Sequence, residues 1–283
     1  MVKPEDKNNL QSVKDILLYL QIPHFGGGFL VYNNSMNLFQ SIVLAIVQGI
    51  TEFVPISSDG HLNLFQHIFG LTPSLTFDIF LNTATFISVL FFFRNQLSYF
   101  FKNFKYIVVG SIPAALAGIF LKSQFEAITS DVKLLPFFFL ITALCVFLTK
   151  YLGDKSEKLT YFKAFIIGIF QAAAILPAVS RSGLTIFSGL LLGLSPIQAF
   201  NFSFSLFIPA SVGALLLSVK DLKNSNFLEP NYIVSFIVTT IVGILALTFL
   251  RKVLIGKKLW VFGFYTIIIA IITFFLTLSA ASI

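Results

Sequence analysis

The stretches QGITEFVPISSDGHL at 48–62 and QAAAILPAVSRSGLT at 171–185 decide the fold, because each interrupts an apolar helix with a proline and a polar turn. Both occupy the same place in an internal repeat. A shift of 123 positions aligns Gln48 with Gln171, Ser57 with Ser180, Gly60 with Gly183, Gly70 with Gly193 and Pro73 with Pro196. The matches fall on residue types that shape backbones and sites, so the repeat is read as the carrier of function.

A chain of 283 residues that is 57% hydrophobic and only 11% charged cannot cover a soluble globule of its size with polar groups. It reads as an all-α polytopic membrane protein. Six apolar runs are long enough to cross a hydrocarbon core of about 30 Å, roughly 75–93, 104–121, 134–150, 198–219, 232–250 and 259–280. The arms that follow the two polar turns are too short to cross, at about a dozen residues or ~18 Å. Each turn region is therefore expected to form a re-entrant helical hairpin whose tip stops at membrane depth, facing protein or a wet cavity. One hairpin plus three spans makes a repeat, about 36–150 and then about 160–283. A hairpin returns to its own side while three spans do not, so the second repeat is expected to be inverted and the two tips to meet near the midplane.

Charge placement orients the chain. Eleven Lys and Arg, from Arg94 to Lys258, lie in connections on one side, against Lys122, Lys133, Lys220 and Lys223 on the other. The first side is expected to be cytoplasmic. The net charge of +7 thus reflects topology, and nucleic acid is not an expected partner. A single cysteine, Cys145 in an apolar run, excludes a disulfide framework and a cysteine metal site. Residues 1–35 mix charges with an apolar stretch broken by Pro23 and Gly26 to Gly28, and read as an extension preceding a single membrane domain at 36–283.

Outside the connections and that extension the formal charges are Glu52, Asp59, Asp78 and Arg181, with His61 as a further titratable group. Ionisable groups at membrane depth are costly and mark functional or paired interiors. Glu52, Ser57, Ser58 and His61 cluster around one turn, and Ser180, Arg181, Ser182 and Thr185 supply a guanidinium and hydroxyls from the other. A guanidinium fork with hydroxyls at a helix start suits phosphate. Serine beside a carboxylate and an imidazole can serve as a nucleophile, or the imidazole can protonate a leaving phosphate. The alternative is purely structural, with hydroxyls capping broken helices and Glu52 paired to Arg181.

EFVPISSDGHL and PAVSRSGLT resemble the two signature motifs of the undecaprenyl-diphosphate phosphatase family, the bacitracin-resistance proteins. Gln48, Glu52, Ser57, Ser58, Gly60 and His61 fit the first motif, and Pro177, Ser180, Arg181, Ser182, Gly183 and Thr185 the second. AFNFSFSLFIPASVGA at 199–214 is similar to a third family segment. The resemblance implies a multi-pass hydrolase of the bacterial inner membrane that takes undecaprenyl diphosphate to the monophosphate carrier of cell-wall synthesis. Glu52, Ser58, His61 and Arg181 would then be catalytic, and Gln48, Ser57, Ser180, Ser182 and Thr185 would bind substrate. No tightly bound cofactor is expected, although Glu52 with Asp59 could hold a divalent metal such as magnesium or calcium. A lipid-phosphate transporter and a catalytically silent homologue are the rival readings. The second rests on Ala178, which stands where the family has glycine and would restrict the turn if that position needs a positive φ.

Overall fold

The computed structural model describes residues 36–71, 74–121, 132–152, 155–218 and 229–281. The 1–35 extension and Pro73 lie outside these residues. Among the described residues the chain is all-helical, with ten α-helices and three short 3₁₀ turns.

Each motif forms a long arm, a turn and a short arm. α1 (Leu38–Thr51) starts in a capping box, in which Asn37 Oδ1 accepts from Gln40 N and Gln40 Oε1 accepts from Asn37 N, both at 2.9 Å. It runs out at Glu52, and after Pro55 the 11-residue α2 (Ser58–Ile68) begins behind Ser57, whose φ of 72° reverses the chain. α6 (Tyr161–Ala173) is capped by Thr160 and gives way before Pro177 to the 11-residue α7 (Arg181–Leu191), capped by Ser180. The helices keep the 123-residue offset of the sequence. α1 and α6 start at equivalent positions, and α2 and α7 share both bounds. Gly70 and Gly193 close the short arms in the left-handed region, with φ of 62° and 83°.

Six further helices surround the hairpins: α3 (Leu75–Phe92), α4 (Leu97–Phe120), α5 (Leu135–Leu148), α8 (Pro196–Ser218), α9 (Pro230–Ile255) and α10 (Val261–Ala281). Three contain stretches long and apolar enough to cross a membrane, namely Ser98–Phe120, Pro196–Leu216 and Pro230–Ile255. The remaining three expected spans are shorter apolar helices at Thr76–Phe92, Leu135–Tyr151 and Val261–Thr277. α4 starts at Leu97, well before the apolar run expected from 104, and carries Lys102 and Lys105 in its first turns. Helical hydrogen bonding continues past the apolar stretch, because lysine stems can lie along the helix while their ammonium groups reach toward water.

Packing pairs elements across the repeat. α1 lies against α9 and α6 against the equivalent α4, while α5 meets α10 and α3 meets α8. The crossings are close. Thr239 Oγ1 and Ser235 Oγ on α9 donate to the Ala45 and Ser41 carbonyls of α1 at 3.0 and 3.2 Å. On the other side a Cβ on Gly168 would strike the Gly110 carbonyl, so a glycine is required there. The core is mostly aliphatic around a set of phenylalanines, with Phe53, Phe93, Phe200, Phe202 and Phe204 almost wholly buried. Large apolar side chains such as Phe101 and Leu216 are 79% and 70% exposed. That inside-out pattern, together with the apolar helices, is the surface of an integral membrane protein.

Candidate active site

The two turns meet tip to tip. A Cβ added to Gly183 would stand 3.2 Å from Pro55 Cβ and 3.2 Å from Val146 Cγ2, so the glycine shared by both motifs lets the second tip press against the first.

At that junction Glu52 gathers three partners. Its Oε1 accepts from Arg181 Nη2 in a salt bridge between the two tips. Its Oε2 accepts from Ser58 Oγ at 2.6 Å and from Gln48 Nε2 at 3.2 Å. Gln48 Nε2 also donates to Asn82 Oδ1 on α3 at 2.7 Å. The Arg181 guanidinium lies 3.9 Å above the Phe207 ring of α8, which fixes its plane. Glu52, Ser57, Ser58, Asn82, Ser180 and Arg181 line a cavity of about 320 Å³ whose further wall is the α8 face from Phe207 to Ser218. This is a serine hydroxyl hydrogen-bonded to a carboxylate, beside an immobilised guanidinium, at a cavity large enough for a diphosphate group.

The other expected site residues are placed differently. Gln48 is buried behind Glu52 and holds it. Ser182 and Thr185 are buried and do not line the cavity: Ser182 Oγ meets Ser180 Oγ at 3.2 Å, and Thr185 Oγ1 meets Ser203 Oγ on α8 at 2.6 Å. Ser180 Oγ accepts from Gly183 N at 3.2 Å while still lining the cavity. His61 makes no hydrogen bond to Ser58. Its Nδ1 lies 2.7 Å from the Ser57 carbonyl and its Nε2 2.8 Å from Tyr265 Oη, with the ring stacked on Tyr265. A carbonyl can only accept, so Nδ1 carries a proton. His61 instead lines a second cavity of about 70 Å³ among α2, α5 and α10. Asp78 accepts from Gln66 Nε2 at 2.8 Å and does not line the site cavity.

The structural reading of the motifs holds at two points, since Ser180 caps α7 and Glu52 pairs with Arg181. Ala178 does occupy a left-handed conformation, with φ of 59°. Thr142 of α5 clasps the turn: its Oγ1 donates to the Ala178 carbonyl at 3.1 Å and accepts from Ser180 N at 2.9 Å. An L-residue in this region costs about 1–2 kcal/mol, which the clasp and the burial of the Ala178 methyl offset. No group of three or more His, Cys, Asp or Glu that could hold a metal exists among the described residues. Both Glu52 oxygens are engaged, whereas Asp59 lines both this cavity and the smaller one beside His61.

Asn82, Phe207, Thr142 and Tyr265 were not legible as site or supporting residues. Asn82 follows Asp78 by one helical turn in an apolar span, a polar spacing that could have drawn attention to it. Phe207 lies in the 199–214 segment that resembles the family, but among 36 phenylalanines nothing marked it individually.

Comparison with known proteins agrees with the motifs. Residues 41–272 match the family model of the bacitracin resistance protein BacA. The chain is 37% identical over 247 residues to an undecaprenyl-diphosphatase of Thermosipho africanus, covering 83% of this chain and 98% of the relative. It is 40% identical over 248 residues to the undecaprenyl-diphosphatase of Thermosipho melanesiensis, again 83% and 98%. A Methanococcus vannielii undecaprenyl-diphosphatase is 38% identical over 250 residues, covering 83% of this chain and 99% of the relative.

Proposed function

This chain belongs to the bacitracin resistance protein BacA family, and from that membership we propose that it is the undecaprenyl-diphosphatase of its membrane, with Ser58 as nucleophile. It hydrolyses undecaprenyl diphosphate to the monophosphate carrier, recycles that carrier for cell-wall synthesis and thereby confers bacitracin resistance. The observation that carries the assignment of roles is the 2.6 Å hydrogen bond from Ser58 to a carboxylate that also holds Arg181.

Phosphate oxygens entering the cavity take the Arg181 fork, for which the planar guanidinium stacked on Phe207 is preset. That exchange frees Glu52 to take the Ser58 proton on Oε2 as Oγ attacks the terminal phosphorus. The bond from phosphorus to the bridging oxygen breaks, and undecaprenyl phosphate leaves with the electron pair. Water then attacks the phosphoserine, Ser58 recovers its proton from Glu52, and inorganic phosphate departs. Ser57 and Ser180 line the cavity as donors to phosphate oxygens. Gln48, Ser182 and Thr185 act behind the cavity wall, and His61 sets the Ser57 turn through its carbonyl. A divalent cation such as magnesium or calcium, taken by Asp59 together with phosphate oxygens, suits the hard oxygen donors of the cavity and would neutralise diphosphate charge.

The membrane arrangement follows the same reading. α2 and α7, each 11 residues or about 16 Å, are too short to cross a bilayer. They are the short arms of re-entrant hairpins entering from opposite faces. The exchange of packing partners between repeats supports an inverted pair of hairpin-plus-three-span units. The Lys and Arg bias supports an orientation with the connection around Lys155 on the cytoplasmic side, and the resemblance to bacterial undecaprenyl-diphosphatases supports the cytoplasmic membrane as its location.

The test is phosphate release from undecaprenyl diphosphate by the purified, reconstituted protein across a range of pH and divalent metals. Release that disappears in Ser58→Ala is expected. A parent protein that releases none above empty liposomes would leave the lipid-transporter and silent-homologue readings.

A further inference from the structure

Asn82 is the one amide side chain lining the catalytic cavity among the described residues. The Glu52 carboxylate can only accept, so Gln48 must present its NH₂ to Glu52, and the same NH₂ donates to Asn82. Asn82 therefore offers its oxygen to Gln48. Its own Nδ2 group has no protein acceptor among the described residues, and the residue is exposed and lines the cavity. An amide donor at membrane depth is costly to leave unmatched. The equivalent position in the second repeat, Ser205, is fully buried and donates back to the Asn201 carbonyl of its own helix at 2.7 Å. At this repeat-related pair of positions the polar group thus faces the cavity on the α3 side alone.

We propose that Asn82 is a substrate-binding residue of this site, its Nδ2 donating to an oxygen of the diphosphate held by Arg181 while its Oδ1 holds Gln48 against Glu52. The inference rests on the diphosphatase reading and extends it. Binding of diphosphate then depends on a helix outside both signature turns, and the same side chain links substrate to the alignment of Glu52. Three faces of the cavity would hold the charged group: Arg181 from the second tip, Ser57 and Ser58 from the first, and Asn82 from α3.

Asn82→Asp separates the two roles, because it keeps an acceptor for Gln48 and turns the donor into a negative charge facing the diphosphate. Its kcat/KM for undecaprenyl diphosphate should fall about 100-fold or more, and inhibition by inorganic pyrophosphate should weaken in parallel. Asn82→Ala should lose about 10- to 100-fold, the worth of a hydrogen bond to a charged group. Asn82→Gln, which restores the amide, should recover part of the loss. Gln48→Ala should lower kcat with little change in pyrophosphate inhibition. Monodisperse elution and an unchanged thermal midpoint establish that each variant is folded, and the Ala, Asp and Gln set gives three independent chances of that. If Asn82→Asp or Asn82→Ala retains wild-type KM and pyrophosphate inhibition, Asn82 does not touch substrate and the proposal fails. A parent protein without phosphate release defeats the diphosphatase reading instead, and pyrophosphate binding by the parent and by Asn82→Asp would still decide the role of Asn82.

Discussion

Glu52→Gln replaces one carboxylate oxygen by an NH₂ and alters little else in shape, so its effect can be followed atom by atom. Arg181 requires an acceptor, and the amide oxygen will turn toward it. The amide NH₂ then faces both Ser58 Oγ and Gln48 Nε2, the two groups that donate to Oε2 in the parent. Gln48 meets donor with donor, and the Ser58 proton loses the base 2.6 Å away. A positioned general base contributes about 10²- to 10⁴-fold, which at about 1.36 kcal/mol per decade raises the barrier by about 2.7–5.4 kcal/mol. Stability should fall by less, about 1–3 kcal/mol, because the amide oxygen still accepts from Arg181. The assay is initial-rate phosphate release from undecaprenyl diphosphate in proteoliposomes, with thermal unfolding in detergent as the control for folding. The Glu52→Gln, Ser58→Ala double variant should be little worse than the worse single one, since the pair acts as a unit. A Glu52→Gln protein within tenfold of the parent would refute the assignment of the base.

Arg181→Lys keeps the charge but loses the fork and the flat contact with Phe207, so kcat/KM should fall about 100-fold with the protein still folded; near-parental turnover would remove Arg181 from phosphate binding. Ala178→Val places a β-branched side chain at φ 59° in a buried turn and should destabilise by about 2 kcal/mol or more, read as the midpoint of thermal unfolding. Tyr265→Phe removes the hydroxyl that meets His61 Nε2 while leaving the ring stack. A loss of only about tenfold or less in kcat is expected if His61 positions the Ser57 turn, whereas a collapse to the level of Ser58→Ala would restore His61 to proton transfer. In a Cys145→Ala background, cysteines at 155 and 229 should label from opposite faces, cytoplasmic and external respectively; labelling of both from one face would end the inverted-repeat reading.

What could be read from the chain alone was local. Pro55 and Pro177 break helices wherever they stand, Gly70 and Gly193 close short arms because a left-handed turn suits glycine, and Asn37, Thr160 and Ser180 cap the helices they precede. A repeat of such signals at one spacing therefore pointed to two hairpins of like layout, and the scarcity of charge marked Glu52 and Arg181 before any contact was visible. The tertiary structure alone decided which groups meet. Glu52 and Arg181 stand 129 residues apart, and it is the close packing of Gly183 on Pro55 that joins them. Sequence proximity grouped His61 with Ser58, yet the imidazole bonds to the Ser57 carbonyl and to Tyr265 of α10 while the Ser58 hydroxyl bonds to Glu52, so neighbours on one helix turn take different partners. Asn82 and Phe207 reach the cavity from helices whose sequences read as membrane spans. Periodicity reports that a residue lies on a helix, but the face it presents to a distant turn is set by how the helices pack.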